Sequence, residues 1–541
     1  MRSPRSPCRR RPRRRASWEP RRSPNAFEAK ESRTQAPAYN RGVRTLYRAS
    51  RVHTFSLPPA GEWILLDGRH VERVGSGEPP SADRVVELPG STIVPGMIDT
   101  HVHLTGTGVH LAHPQISRAR SATDLMSMLR EICAGRHRPT LVHGFDESTW
   151  EDPSLPTMSE LDDVTPQPLV VVRVDGHLSL GNRPAVQSAG VVEAVGEGDD
   201  SAVVTLEANA RLKRWVSSQL GDGEIQVLQL DAAATAASRG VTCVHEMSMP
   251  AERGLRDLEV LLRHRDRLPV DVVPYVATTD IPQVIDLALA GIGGDLPVDG
   301  SIGARTAALH EPYADRPDTT GTLSFVGDEL VEFFHGSHAA ALQVGVHAIG
   351  DRAIDQVLAT WERVYRTLDS RERRHFRARR HRIEHFEMAS DVQIERAGML
   401  GLALSFQPAF DCAWGAPGGM YERRLGPARA AAMNPIRSCF ERGIVVGVGS
   451  DSPITALDPM AGISAMEAHH NRMQRLTRTE ALHVSTFGGA RLAHQEDKKG
   501  ALAPGTHADF AAYEVDPTSD PDVGRARPVL TVSLGREVFA A

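Results

Sequence analysis

Apolar and polar positions follow two rhythms along the chain. From Val43 to about Val94, short apolar runs are broken by turn residues. "EWILLDGRHVERVG" reads as a strand, an Asp-Gly turn and a second strand, the pattern of a hairpin. The same rhythm returns from about Glu496, in "GALAPGTHADFAAYEVD" and "PVLTVSLGREVFAA". Two β-rich flanks around a long middle predict one small composite β domain, a sandwich over 43–94 plus 496–541. The middle, 95–495, alternates strands and helices. "TIVPGMID", "VTCVHEM", "VDVVPYVA", "GGDLPVDG", "QVGVHAIG", "HRIEHFE", "GLALSFQP" and "GIVVGVGSD" read as strands, and "LQLDAAATAASR" and "DRAIDQVLATWERVYRTL" as helices. Eight strands with intervening helices predict an α/β fold of the (β/α)8, TIM-like barrel type. The first two strands are too far apart for an ordinary connection, so about 104–235 is expected to be an insertion with its own structure, placed to cap the barrel mouth.

Composition narrows the function classes. The chain has 541 residues, 41% hydrophobic and 24% charged, and no apolar run approaches the length of a membrane span. The net charge of −6 hides a basic tail of Arg, Pro and Ser, so the body is more acidic than the total suggests. An acidic body argues against a general grip on nucleic acid, and no membrane association is expected. The tail, within residues 1–42, is expected to be disordered; it is either a functional arm or an over-extended start. Five scattered cysteines with no CxxC suggest reduced thiols and a cytoplasmic setting.

The predicted strands end in residues that are costly to bury. His101 and His103 stand at i and i+2, so both side chains leave one face of their strand. His347, His385 and Asp451 end three further strands. Each has a plain alternative: hydrogen-bonded core histidines, His385 paired with Glu384 or Glu387, Asp451 as a helix cap. All five together at strand ends are the ligand types of a divalent cation, Zn²⁺ first among them. Trp150 is a candidate apolar wall for substrate, Arg305 a candidate clamp for a carboxylate, and Gln407 a candidate donor to substrate. Most other histidines, His110 and His143 among them, fit no ligand position and default to surface or structural roles.

"VPGMIDTHVHL", "GFDESTW", "VDGHLSLGN", "VDGSIGARTAALHEPYAD", "VHAIGDRA", "RIEHFEM", "SFQPAF", "GSDSPI" and "GALAPGTHADF" together resemble the amidohydrolase superfamily. More narrowly, they resemble its family 3, the N-substituted formamide deformylase-like branch. The resemblance runs from about residue 43 to the C-terminus. It implies that His101, His103, His347 and His385 hold one or two divalent ions. It also implies that Asp451 takes a proton from the attacking water and hands it to the leaving amine. The bond attacked would be a non-peptide, amide-like C–N bond, N-formyl or N-acyl, in a small molecule. Deamination of a heterocycle and a regulatory or sensor role on the same fold are the alternatives. In this branch the segment holding His177 faces substrate. Many relatives have a lysine where Asp295 stands, as in "VKLFADGS". An aspartate is shorter, so Asp295 is not expected to reach the point between two ions; one ion is favoured, with Asp299 the better-placed helper. Sequence does not fix the oligomeric state, and a homodimer is compatible with it.

Overall fold

The computed structural model describes residues 42–195 and 200–541; the basic tail and the disorder expected of it fall outside them. The expected hairpin forms. Strands β1 (Arg44–His53), β2 (Ala60–Asp67) and β3 (His70–Gly75) pair antiparallel in succession. Gly68 and Arg69 make the turn between β2 and β3, with Gly68 at φ 55°. Strand β4 (Arg84–Pro95) lies parallel to β1. The expected strand "TIVPGMID" divides at Gly96. Its first half ends β4 and its second opens β5 (Met97–Val102), which belongs to a different sheet. A Cβ at Gly96 would stand 2.2 Å from Thr242 Oγ1, so the crossing between the two sheets has room only for glycine.

The segment after β5 carries a four-stranded sheet of its own. Strands β6 (Thr140–Phe145), β7 (Leu169–Arg173), β8 (Leu178–Gly181) and β9 (Val203–Thr205) are adjacent in chain order. Every residue of β6, β7 and β8 is buried, and Leu125, Leu129, Phe145, Val170 and Leu180 share one apolar core there.

The remaining middle strands are β10 (Val241–Ser248), β11 (Asp271–Val276), β12 (Gly291–Ile292), β13 (Gln343–Ala348), β14 (Arg382–His385), β15 (Ala403–Phe406) and β16 (Val445–Val448). With β5 they form two parallel sheets, in the orders β11-β10-β5 and β12-β13-β14-β15-β16. Helices intervene, so the fold is mixed α/β. After β13, the helix Asp351–Thr367 buries Ile354, Val357, Leu358, Trp361 and Val364, one stripe at helical spacing. Parallel strands covered on both faces need continuous apolar runs, and β13 to β16 are buried at every position.

One expected strand, "GGDLPVDG", does not form: β12 ends just before it at Ile292, and Gly293 and Gly294 take φ of 83° and 61°. A side chain at Gly293 would meet the Gly345 carbonyl oxygen at 2.1 Å. Pro297 then makes a single parallel bridge to His347.

Strands β17 (Phe510–Tyr513), β18 (Pro528–Ser533) and β19 (Arg536–Ala540) complete a seven-stranded sheet in the order β19-β18-β17-β4-β1-β2-β3. Hydrogen bonds join the seven as a single sheet. Lys499, 1% exposed, ties this sheet to the parallel strands: its Nζ lies 2.7 Å from Asp509 and 3.1 Å from Asp271 on β11. No helix among the described residues is long and apolar enough to cross a membrane.

Candidate metal centre and its cavity

β5 sends His101 and His103 to one side, as their i, i+2 spacing requires. His101 is fully buried, and its Nδ1 lies 2.9 Å from Glu384 Oε2. Arg382, also buried, donates to both oxygens of Glu384, from Nε at 2.6 Å and from NH2 at 2.9 Å. This brace directs His101 Nε2 inward. A carboxylate behind a histidine fixes its tautomer and the direction of its free nitrogen, an arrangement familiar behind metal-binding imidazoles. His103 Nδ1 donates to the Met247 carbonyl at 2.7 Å, which turns its Nε2 to within 3.1 Å of Asp451 Oδ1. His101 Nε2 and Asp451 Oδ1 are buried and have no hydrogen-bond partner. His385 and Asp451 both hold left-handed backbone, φ 72° and 55°. For residues with a side chain that conformation costs on the order of 1–3 kcal/mol, and it concentrates at functional sites.

Asp295 corrects the expectation drawn from its short side chain. Its Oδ1 stands 3.2 Å from His347 Nδ1, 3.3 Å from His385 Nε2 and 3.7 Å from His101 Nε2; its Oδ2 is 3.7 Å from His103 Nε2. The carboxylate therefore lies among all four histidines. The two left-handed glycines before it supply the reach, because they break the strand and swing Asp295 inward. Asp299 lines the same cavity, with Oδ1 3.6 Å from His347 Nε2, and its oxygens also accept the backbone N–H groups of Ala308, Ile349 and Gly350 at 2.8 to 3.0 Å.

Burial works against every charge here, but the pairing outweighs it for most groups. Despite desolvation, Asp451 and Asp295 hold His101 well above the imidazole range, and Asp295 lifts His347 to about 9. Asp295 is held well below the carboxylate range by the histidines around it, and Asp451 is lowered by His101 and His103. His385 goes down, through burial and the neighbouring His347. Burial lifts Asp299 to about 6. Without a cation, protons held on the histidines offset the carboxylate charges; a bound cation would displace them. Two groups of donor atoms, His101–Asp295–His385 and His101–His103–Asp451, each lie within 4.8 Å of one another. Imidazole nitrogen and carboxylate oxygen at that spacing fit a borderline divalent ion.

His103, Asp295, His347, His385 and Asp451 line a cavity of about 680 Å³. His177 lines it, with its ring 5.4 Å from that of His347; burial and the His347 charge bring its pKa down to about 4. Three other candidates turn elsewhere. Trp150 is buried in the core of the inserted sheet and donates to the Ala119 carbonyl at 3.0 Å, so it is no wall of the cavity. Arg305 is spent on Asp315 at 2.7 Å and lies outside the cavity lining. Gln407 accepts from His385 Nδ1 at 2.7 Å; it orients a histidine and does not line the cavity. Sequence reasoning missed Arg253, Lys213, His110 and His143, all of which line the cavity. Their only signal was position in the insertion and the helix following β10, with no diagnostic spacing. A further cluster, Asp411, His469 and His470, lies outside the cavity lining.

A model of the amidohydrolase family matches residues 84–539. The chain is 27% identical over 503 residues to Protein LONG AFTER FAR-RED 3 of Arabidopsis thaliana, covering 84% of each chain. It is 22% identical over 522 residues to an N-substituted formamide deformylase of Arthrobacter pascens, covering 88% of this chain and 93% of that one. A solved structure of an uncharacterized metal-dependent hydrolase from Pyrococcus furiosus superimposes with a TM-score of 0.69 at 26% identity, covering 88% of this chain and 100% of the other.

Proposed function

The chain belongs to the amidohydrolase family, and from that premise we propose that it hydrolyses a non-peptide, amide-like C–N bond, N-formyl or N-acyl, in a small molecule. One divalent ion per chain, zinc by preference, would be held by His101, His103 and Asp451. The observation that carries this reading is a pair of buried atoms without a hydrogen bond, His101 Nε2 and Asp451 Oδ1, in a cluster whose His103, His385 and Asp451 line a large cavity. Leaving such atoms unpaired costs about 1–3 kcal/mol each, a cost a cation removes. A single ion is favoured because His347 and His385 spend both ring nitrogens on protein oxygens: His347 on Asp295 and Gly300, His385 on Gln407 and Asp295.

An ion held there would lower the pKa of water to roughly 7 and would polarise the scissile carbonyl. Asp451 takes the proton of the attacking water as the oxygen bonds to the carbonyl carbon. It then delivers that proton to the nitrogen as the C–N bond breaks, releasing a carboxylate and an amine. Glu384 and Arg382 keep His101 in the tautomer whose Nε2 lone pair faces inward. We read the eight strand positions as one (β/α)8 barrel. Supporting this, Val102 of β5 bridges Ser452 beyond β16, and Gly293 N donates to Val276 O at the end of β11.

The test is metal quantitation on purified protein, followed by a screen of N-formyl and N-acyl amines with carboxylate and ammonia release both measured. One ion per chain and carboxylate release are expected. Protein that retains almost no metal after incubation with zinc sinks the proposal, and ammonia release from heterocycles would replace it with deamination. Two ions per chain would overturn the single-ion reading.

A further inference from the structure

Part of the cavity lining brings four basic side chains together, His110, His143, Lys213 and Arg253, with Glu252 and Asp257 also in the lining. His143, on β6, is only 8% exposed, and its Nε2 is buried without a hydrogen-bond partner. The charges that act on it most strongly are those of Arg253, His110, Lys213 and His113. Burial, reinforced by Arg253, keeps His143 well below the ordinary imidazole value, so it is neutral and has one N–H to donate. Arg253 ends the short helix Pro250–Arg253, after which Gly254 turns the chain at φ 73°. Its NH1 lies 3.3 Å from Ser217 Oγ, and among the described residues no carboxylate oxygen stands within ion-pair distance of it. Lys213 differs: it pairs with Glu252 and donates to the Gly176 carbonyl at 3.0 Å. A methyl group placed on Gly106 would lie 3.3 Å from both Arg253 NH2 and His103 Cβ. Arg253 and the Cβ of His103 therefore both border the space that Gly106 leaves open.

We propose that Arg253, with His143 Nε2–H and His110 beside it, binds a carboxylate on the amine half of the substrate, which makes N-formyl or N-acyl amino acids the substrate class. A guanidinium fork matches a carboxylate with two parallel hydrogen bonds, and a neighbouring neutral N–H adds a third without a competing charge. The carboxylate falls on the amine half because a formyl group has no atoms to carry one. This inference rests on the amide-hydrolysis reading of the same cavity.

A matched pair tests it: N-formylphenylalanine and N-formylphenethylamine, which differ only by the carboxylate. The zinc-loaded wild type should prefer the first in kcat/KM. Arg253→Gln should cut that preference about 30-fold, mainly through KM. His143→Asn should cut it in the same direction by less, and it carries the test if melting curves show that R253Q does not fold. Equal kcat/KM for the two amides in the wild type, or an unchanged preference in the variants, overturns the subsite. Titration calorimetry with N-formylphenylalanine separates the two readings. Binding that R253Q weakens, without turnover, keeps the subsite and removes hydrolysis. Turnover of both amides at equal efficiency keeps hydrolysis and removes the subsite.

Discussion

Asp411, His469 and His470 meet as closely as His101, His103 and Asp451 do, and each trio places its donor atoms within 4.8 Å of one another. What differs is what those atoms are left to do. In the first trio, His470 Nδ1 is 2.5 Å from Asp411 Oδ1 and its Nε2 donates to the Ala430 carbonyl at 3.1 Å. His469 divides its nitrogens between the Asn434 carbonyl and the Asn471 N–H. Every ring nitrogen there has a protein partner. In the second trio, His101 Nε2 and Asp451 Oδ1 make no hydrogen bond, although Asp451 Oδ1 stands 3.1 Å from His103 Nε2 and 3.5 Å from His101 Nε2. Residue type and proximity are thus shared by a clamp and a metal centre; unspent lone pairs distinguish them.

The largest effect that tests this contrast falls on the second trio. Asp451→Asn should lower kcat about a thousandfold on any amide the enzyme turns over, because it removes the proton carrier. His103→Ala should lose bound metal along with activity, and a fully active His103→Ala protein would break the comparison outright. Next comes the brace behind His101. Glu384→Gln should weaken zinc affinity about 10- to 100-fold in a chelator competition, since the outer partner of a ligand sets its orientation and basicity.

On the clamp side the readout is stability. Asp411→Asn should leave metal content unchanged and cost about 2 kcal/mol in urea unfolding, the scale of a charge-assisted hydrogen bond. Burial acts against the Asp411 charge, yet His470 brings its pKa down, so its contribution is present above the ordinary aspartate value and lost as pH falls. The hydrogen bond to Asp411 raises His470, so its contribution is present below the ordinary histidine value and lost as pH rises. The cost of D411N should therefore peak between roughly pH 4 and 6.5 and shrink on either side. The smallest effect belongs to Trp150→Phe. Loss of its bond to the Ala119 carbonyl should cost about 1 kcal/mol and leave KM unchanged; a large rise in KM would return Trp150 to the cavity wall.

The same contrast explains what was legible in the sequence. His101, His103, His347, His385 and Asp451 could be found because the ends of apolar strands are visible as pattern, and polar residues there stand out. Asp295 was identified, but its reach was misjudged, because two glycines in left-handed backbone bend the chain in a way strand alternation cannot show. Trp150, Arg305 and Gln407 were plausible by type and wrong by partner: Ala119, Asp315 and His385 had already claimed them. Arg253 and His143 carried no periodic signal. Their importance comes from the cavity that brings a helix and an inserted strand to one wall, and that meeting is tertiary. In the fold, the hairpin at Gly68 and Arg69 and the parallel strands follow from local pattern. The division at Gly96 does not, since it depends on Thr242 lying across the crossing.

The seven-stranded sheet has a consequence for how the molecule is made. Strands β1 to β4 emerge early from the ribosome, but the edge of β4 that carries Ile93 and Val94 pairs with Phe510–Tyr513. Those residues are synthesised roughly four hundred positions later, which at ordinary translation rates is on the order of half a minute. Throughout that interval a nascent chain presents an apolar strand edge with no partner. A chaperone that shields strand edges would therefore be needed most before the last thirty or so residues are made, and a stop codon just ahead of β17 should yield aggregate in place of a smaller enzyme.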